Sequence, residues 1–187
     1  MSKRKEDLRS IRTKTHLSKA LLTLIDENKH KFEAITVNMI CEEAMVHRTT
    51  FYKYFEDKYH LLNCCVENMQ QKFEQYTSVE HLVKPFQCMI GAWDYKFALT
   101  ILECLESSKY FKISFENRMK DMLYNDLCLM EENGTSLPIP KEILVQIVGN
   151  AISGLAAWWI KNNNQKITAE AMDGYYKAVI NTSLFER

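Results

Sequence analysis

The stretch Thr36-Val-Asn-Met-Ile-Cys-Glu-Glu-Ala-Met-Val-His-Arg-Thr-Thr-Phe-Tyr-Lys-Tyr-Phe55, followed by Glu56-Asp57-Lys58, decides the fold. It divides into two short segments joined by a tight turn. That is the pattern of a helix-turn-helix, in which one helix braces a second laid in the major groove of DNA. Thr36 is placed to cap the first helix, and Met39, Ile40 and Ala44 supply its buried face. Phe51 and Phe55 stand four apart and so share one face of the second helix, with Val46 completing the packing. His47, Arg48, Thr49, Tyr52 and Lys53 are left to point outward. Arg48, near the helix start, has the reach for a bidentate contact to guanine O6 and N7. Thr50, Tyr52, Tyr54 and Lys58 are hydroxyl or cationic donors suited to phosphates, which set register rather than sequence preference. A merely solvated helix face carries the same residue types. The density of the pattern favours DNA: two phenylalanines inside, two tyrosines beside them, and a lysine three residues past the last phenylalanine.

Working outward, apolar residues recur at helical spacing, and five glycines and three prolines punctuate the chain. The periodicity predicts an all-α chain of about nine helices. Met1–Asp7 reads as a charged arm. One helix is expected over 8–29, with Leu8, Ile11, Leu17, Leu21 and Ile25 on its stripe and Arg9, Arg12, Lys14 and Lys19 outside it. After the two helices of the quoted stretch, Asp57 caps another that runs to Phe73. Further helices are expected over 79–92, 95–107 and 109–132. Asn133-Gly134 through Pro138 and Pro140 is the clearest loop, and Pro140 suits the first turn of a helix over 141–162. Asn162-Asn163-Asn164 breaks that helix, and Thr168 caps a last one to about 185. The expected division is a DNA-binding part over 1–60 and a helical ligand-binding and dimerisation part over 61–187, sharing the helix after Asp57.

Lysine plus arginine equals aspartate plus glutamate at 24 each, so any DNA contact must be local rather than a matter of bulk charge. Residues 1–60 hold 12 basic and 9 acidic side chains and 61–187 hold 12 and 15, a weakly basic head on a weakly acidic body. The six cysteines (41, 64, 65, 88, 104, 128) lack CxxC spacing and read as free thiols in a reducing cytosol. No signal-like N-terminus stands out, and no apolar stretch is expected to reach the roughly 18–20 residues of a membrane span. The expectation is a cytoplasmic chain with no membrane partner. No GxSxG, P-loop, HExxH or GxGxxG occurs, and the five histidines show no metal-ligand spacing with Cys or Asp. The expectation is therefore no enzyme, no catalytic residue, no cofactor and no metal.

Ile35-Thr36, then Ala44-x-Val46, then Arg48-x-Thr50-Phe51-Tyr52-x-Tyr54-Phe55-x-x-Lys58-x-x-Leu61-Leu62, resembles the N-terminal domain of TetR-type (TetR/AcrR) transcriptional regulators over about residues 10–62. The resemblance implies a homodimer with three N-terminal helices on double-stranded DNA and a divergent helical body. It places Arg48 and Thr49 where members touch bases, and Thr50, Tyr52, Tyr54 and Lys58 where they touch phosphates. Thr36, Asn38, His47 and Lys53 complete the candidate contacts. The chain departs from the family at Met45, where glycine is usual in the turn. A left-handed backbone there disfavours a residue with a Cβ by roughly 1 kcal/mol or more, unless packing of Met45 offsets it. Glu42, Glu43, Glu56 and Asp57 also crowd the reader with negative charge, which weakens non-specific affinity. A TetR-like co-regulator acting through a protein or metabolite, with little DNA binding, is the alternative these features suggest.

In the body, Gly149, Ser153 and Ala157 are small residues four apart that let another helix approach. They read either as packing within one subunit or, with Tyr175, Tyr176 and Val179 of the last helix, as a dimer interface. Gly154-Leu155-x-x-Trp158-Trp159-Ile160 resembles the C-terminal region of a Firmicutes-type subgroup of the same family. Two-fold symmetry would match a near-palindromic operator. Trp93, Phe97, Phe111, Phe115, Met119, Met122 and Trp158 are the candidate lining of a pocket for an unknown small-molecule inducer, although such residues also build ordinary cores. The function expected is a sequence-specific repressor relieved by that ligand.

Overall fold

A computed structural model describes residues 8–26, 31–162 and 166–185, and every regular element among them is helical. Ten α-helices follow in order: α1 (Leu8–Asp26), α2 (Val37–Glu43), α3 (Arg48–Phe51), α4 (Lys58–Phe73), α5 (Ser78–Val83), α6 (Pro85–Ala92), α7 (Tyr95–Ser107), α8 (Lys109–Glu132), α9 (Lys141–Asn162) and α10 (Ala169–Val179). Two 3-10 turns join them, at Phe32–Ala34 and Thr182–Leu184. The expected arm Met1–Asp7, the expected helix end at Lys29 and the break at Asn163-Asn164 lie outside the described residues.

Side-chain caps set most of the helix starts. Thr36, Thr77, Asp94, Ser108 and Thr168 accept from the backbone N–H groups of Met39, Glu80, Phe97, Phe111 and Ala171. Asp57 accepts from His60 N at 2.7 Å. Each satisfies an end donor that the helix itself leaves unpaired, which typically stabilises by about 1 kcal/mol.

The tenth helix comes from Pro85. The apolar period continues through 79–92, but proline has no N–H to donate back to the preceding turn. The chain leaves helical geometry at Lys84 (φ −132°, ψ 49°) and restarts with Pro85 in the first turn of α6. The cap of α6 comes from across the fold. Buried Asp173 of α10 accepts from Phe86 N at 2.9 Å, Gln87 N at 3.2 Å and Gln87 Nε2 at 3.0 Å. Burial nevertheless holds its carboxyl above the usual carboxylate range.

Two further expectations are corrected. The last helix stops at Val179 rather than 185, and the following 3-10 turn folds Phe185 back into the core at 1% exposure. Helix α9 is long and apolar enough to cross a membrane by length and composition, because 143–160 contains no charged residue. Only 28% of its apolar window is buried within the chain, and α9 lies along α8 as part of the body.

Two apolar clusters organise the packing. One runs from Leu17, Leu21, Ile40 and Phe51 of the first three helices into Leu61, Phe97, Ile101 and Phe111, so α4, α7 and the start of α8 share a core with the N-terminal helices. The other joins Leu82, Phe86, Leu127, Val148, Trp159, Met172 and Tyr176. Phe86 sits at its centre, edge-on to Trp159 (5.8 Å) and Tyr176 (6.4 Å).

Candidate functional site

The turn between α2 and α3 is built on Met45, the one non-glycine residue of positive φ (+53°) among the described residues. Val46 N donates to Cys41 O (2.9 Å) and Met45 N to Glu42 O (3.1 Å), the paired closure that ends a helix with a left-handed residue. The side chain of Met45 is 92% exposed, so packing does not offset its backbone strain. Phe51 and Phe55 are buried at 0% and 3% and lie 5.7 Å apart between ring centroids, as their spacing predicts.

His47 caps α3 by accepting from Thr49 N (3.4 Å), and its Nδ1 also lies 2.9 Å from Thr49 Oγ1. Arg48 projects from the first turn, donating from Nη2 to Tyr52 Oη at 3.2 Å with its guanidinium 5.7 Å from the Tyr52 ring centroid. Thr36, Asn38, His47, Arg48, Thr49, Tyr52 and Lys53 are exposed, and Thr50 and Tyr54 are half-buried. Asn38, His47 and Arg48 line one shallow hollow with Glu42, Met45 and Val46, at the polar edge where α2, the turn and α3 meet. Two residues of α1 join this edge without having been singled out from sequence. Ser10 Oγ lies 3.2 Å from Tyr54 Oη, and Lys14 Nζ lies 5.9 Å from the Tyr54 ring centroid. Their signal was the polar face of the first helix opposite its apolar stripe.

Lys58 departs from its expected role as a phosphate donor. Its ammonium turns inward and donates to the carbonyls of Phe32 (2.9 Å), Glu33 (2.9 Å) and Ile35 (3.1 Å). An ammonium has three protons, and three carbonyls take them. Glu33 lies 3.7 Å from the same nitrogen, and Tyr59 Oη donates to Glu33 Oε1 at 2.5 Å. Burial together with Glu33 pushes the Tyr59 phenol up to about 12, so it stays a donor. This knot pins the 3-10 turn to the start of α4. Lys58 here is a clamp for the reader's frame.

A partly open cavity of about 130 Å³ lies in the body among α4 to α9. Of the expected lining, Trp93, Phe115, Met119 and Met122 are present. Phe97 and Phe111 are not; both are fully packed in the core shared with the N-terminal helices, Phe111 stacked on Phe115 at 6.0 Å. Trp158 is half-exposed on the outer face of α9. His81 was missed as a lining residue. Its Nδ1 is 2.9 Å from Asp126 Oδ2 and its Nε2 is 3.0 Å from Phe73 O, so both nitrogens face acceptors. Burial opposes the charged ring, but the Asp126 hydrogen bond and charge outweigh it and hold the His81 pKa above its ordinary value. Burial pushes the lining thiol of Cys88 up to about 12, so it behaves as an apolar group.

The expected dimer residues divide. Tyr176 is wholly buried against Phe86 and is a core residue of its own chain, not a contact for another. Gly149 meets α8, where an added Cβ would approach Leu123 Cδ1 to 3.3 Å, and with Ser153 it lines the cavity. Ala157 is half-buried, while Tyr175 and Val179 are 54% and 78% exposed. Among the described residues no cluster of three or more potential metal ligands occurs.

An exposed cationic α3, braced by α2 and anchored by two buried phenylalanines, defines a helix-turn-helix DNA-binding protein. Residues 28–65 match the family model described as bacterial regulatory proteins, tetR family. The solved structure of a TetR transcriptional regulator from Streptococcus agalactiae is similar over 91% of this chain and 94% of its own, at 27% identity and TM-score 0.60. A protein of Syntrophomonas wolfei assigned to the TetR-family transcriptional regulators is similar over 92% and 94%, at 15% identity and TM-score 0.69. The transcriptional regulator FadR from Bacillus subtilis, in complex with stearoyl-CoA, is similar over 91% and 96%, at 18% identity and TM-score 0.57. A search of curated proteins gives no match. The chain has the fold of these regulators, and its N-terminal part carries the tetR-type helix-turn-helix of a DNA-binding regulator of transcription.

Proposed function

We propose that the chain is a homodimeric, sequence-specific repressor that leaves a near-palindromic operator when a small molecule enters the body, acting in the cytoplasm. The observation that carries this reading is the position of α7. Ala98, Ile101, Leu102 and Leu105 of α7 line the cavity. The same helix sends Phe97 into the core it shares with α1 and holds the end of α1 through Lys96, whose ammonium donates to Asp26 O at 2.5 Å. A ligand that displaces α7 therefore acts on the mounting of the reader, and its differential affinity for two reader spacings is the coupling free energy. That FadR was solved with stearoyl-CoA supports a body able to hold a ligand.

A second copy is the proposed cover for the exposed apolar face. Ile143, Ile147 and Trp158 lie on one side of α9, and Tyr175 and Val179 on one side of α10. This refines the interface from the small-residue stripe to these larger side chains. On DNA, we propose Arg48 and Thr49 for base edges, with Thr36, Asn38, His47, Thr50, Tyr52, Lys53 and Tyr54 for groove and phosphate contacts. The test is a gel shift on the DNA upstream of the chain's own gene. Arg48→Ala and Tyr52→Ala are expected to abolish binding with the fold intact, and unchanged binding in both would sink the assignment.

The exposed, strained Met45 beside exposed Glu42 and Glu43 favours the co-regulator as second reading. Failure to retain any genomic fragment, with a partner protein co-purifying, would select it.

A further inference from the structure

His81 of α5 is buried, and each of its ring nitrogens faces an acceptor on another helix. Nδ1 lies 2.9 Å from Asp126 Oδ2 of α8, and Nε2 lies 3.0 Å from the carbonyl of Phe73, the last residue of α4. A neutral imidazole has one N–H and one bare nitrogen, so it can donate to only one of the two. Both bonds need two protons, one on Nε2 toward the carbonyl and one between Nδ1 and the carboxylate.

Losing one proton does not touch the two bonds equally. A bare Nδ1 would set its lone pair against a carboxylate, whereas a bare Nε2 meets an uncharged carbonyl. The proton that remains therefore stays on Nδ1, where its bond to Asp126 is charge-assisted. The bond to Phe73 is the one given up. That carbonyl still accepts from Tyr76 N at 2.9 Å, so what breaks is the link between helices and not the turn that follows α4.

The surroundings favour the second proton at moderate pH. Asp126 from α8 and Glu80 from α5, itself held by Thr77 N at 2.9 Å, are the acidic groups acting on the ring. The Phe73 and Tyr76 rings stand edge-on at 6.1 and 6.4 Å, and Cys88 of α6, a neutral thiol, shares the cavity wall. Burial opposes the charge, but Asp126 outweighs it, so release falls above the ordinary imidazole value. The place of the bond gives it reach. Helix α4 starts at the Lys58 knot that fixes the reader's frame and ends at the carbonyl held by His81, a residue that also lines the body cavity.

We infer that His81 is a pH-sensitive latch: with two protons it fastens the end of α4 to α5 and α8, and loss of one frees the end of α4 while α5 and α8 stay joined. The latch works whatever enters the cavity.

The test is a titration of the full chain, labelled with 15N at histidine, from about pH 5.5 to about pH 9.5, with His81 identified by the signals missing from His81→Gln. Both ring nitrogens are expected to carry protons at the acid end, and Nε2 alone to lose its proton as the pH rises. Hydrogen exchange in the last turn of α4, corrected for its intrinsic pH dependence, should speed up about 2–10-fold along the same curve, the worth of one hydrogen bond. Exchange in α8 around Asp126 should not follow it. Asp126→Asn removes the charge that holds the second proton, so its ring should be neutral throughout and the end of α4 loose at every pH. Should that variant fail to fold, the titration of the wild type decides alone. A final proton on Nε2, a ring that does not titrate over this range, or exchange at the end of α4 that ignores the titration would overturn the latch, as would an Asp126→Asn chain that keeps the pH dependence.

Discussion

Replacing Met45 by glycine isolates the strain in the reader's turn. Met45 holds φ at +53°, where a Cβ crowds the following carbonyl and disfavours the conformation by roughly 1–2 kcal/mol. Glycine removes that clash but gains freedom in the unfolded chain, which returns about 0.5–1 kcal/mol. Packing barely enters, since the methionine side chain is 92% exposed, and the two backbone hydrogen bonds that close the turn do not involve it. The net expectation is a stabilisation of about 0.5–1 kcal/mol, or a rise in Tm of about 1–4 °C for a chain of this size. Urea unfolding followed by circular dichroism, at fixed protomer concentration, measures it through the midpoint with the slope unchanged. Met45→Ala is the control, because it trims the side chain but keeps the Cβ; it should move stability by no more than about 0.5 kcal/mol. If glycine gives no gain, or alanine gains as much, the strain argument is wrong.

Other expectations follow from particular contacts. Lys58→Ala orphans three carbonyls and should destabilise by about 1–3 kcal/mol in the same urea assay, while Lys53→Ala should leave stability alone and lower the salt dependence of operator binding by about one counterion. If Lys58→Ala instead lowers the salt slope with the fold unaffected, the clamp assignment fails. Phe86→Ala, at the centre of the second core, should cost about 3–5 kcal/mol, read as a loss of Tm against a conservative Phe86→Leu. Burial pulls the His81 pKa down but Asp126 pushes it further up, so the folded value lies above the unfolded one near 6.5. Its contribution is then complete below about pH 6.5 and lost as the pH rises through the folded value. The stability gap between wild type and His81→Gln should be larger at about pH 6 than at about pH 9. A gap that grows with pH contradicts the pairing.

The helical periodicity was legible because each helix buries one face, and the period alone marks it. What periodicity does not say is which neighbour covers the face, and that is where expectation and structure part. In α10, Met172 and Tyr176 stand four apart, as do Tyr175 and Val179, giving two candidate apolar faces from one pattern. The structure assigns the first to the core, both at 0% exposure, and leaves the second outside. The deciding fact is Asp173, whose carboxylate must reach the first turn of α6 some 86 residues away in sequence, and so rolls Met172 and Tyr176 inward. Lys58 shows the same limit. Its place three residues past Phe55 marks the reader, but its direction depends on carbonyls at positions 32, 33 and 35, presented by a 3-10 turn that the local pattern does not announce. Met45 is the opposite case. The turn's hydrogen bonds are local, spanning only residues 41 to 46, and its left-handed backbone is what the TetR-type resemblance implies, since glycine is usual at that position. The roles of Lys58, His81 and Asp173 are set by hydrogen bonds to partners 23, 45 and 87 residues away, which no local pattern announces.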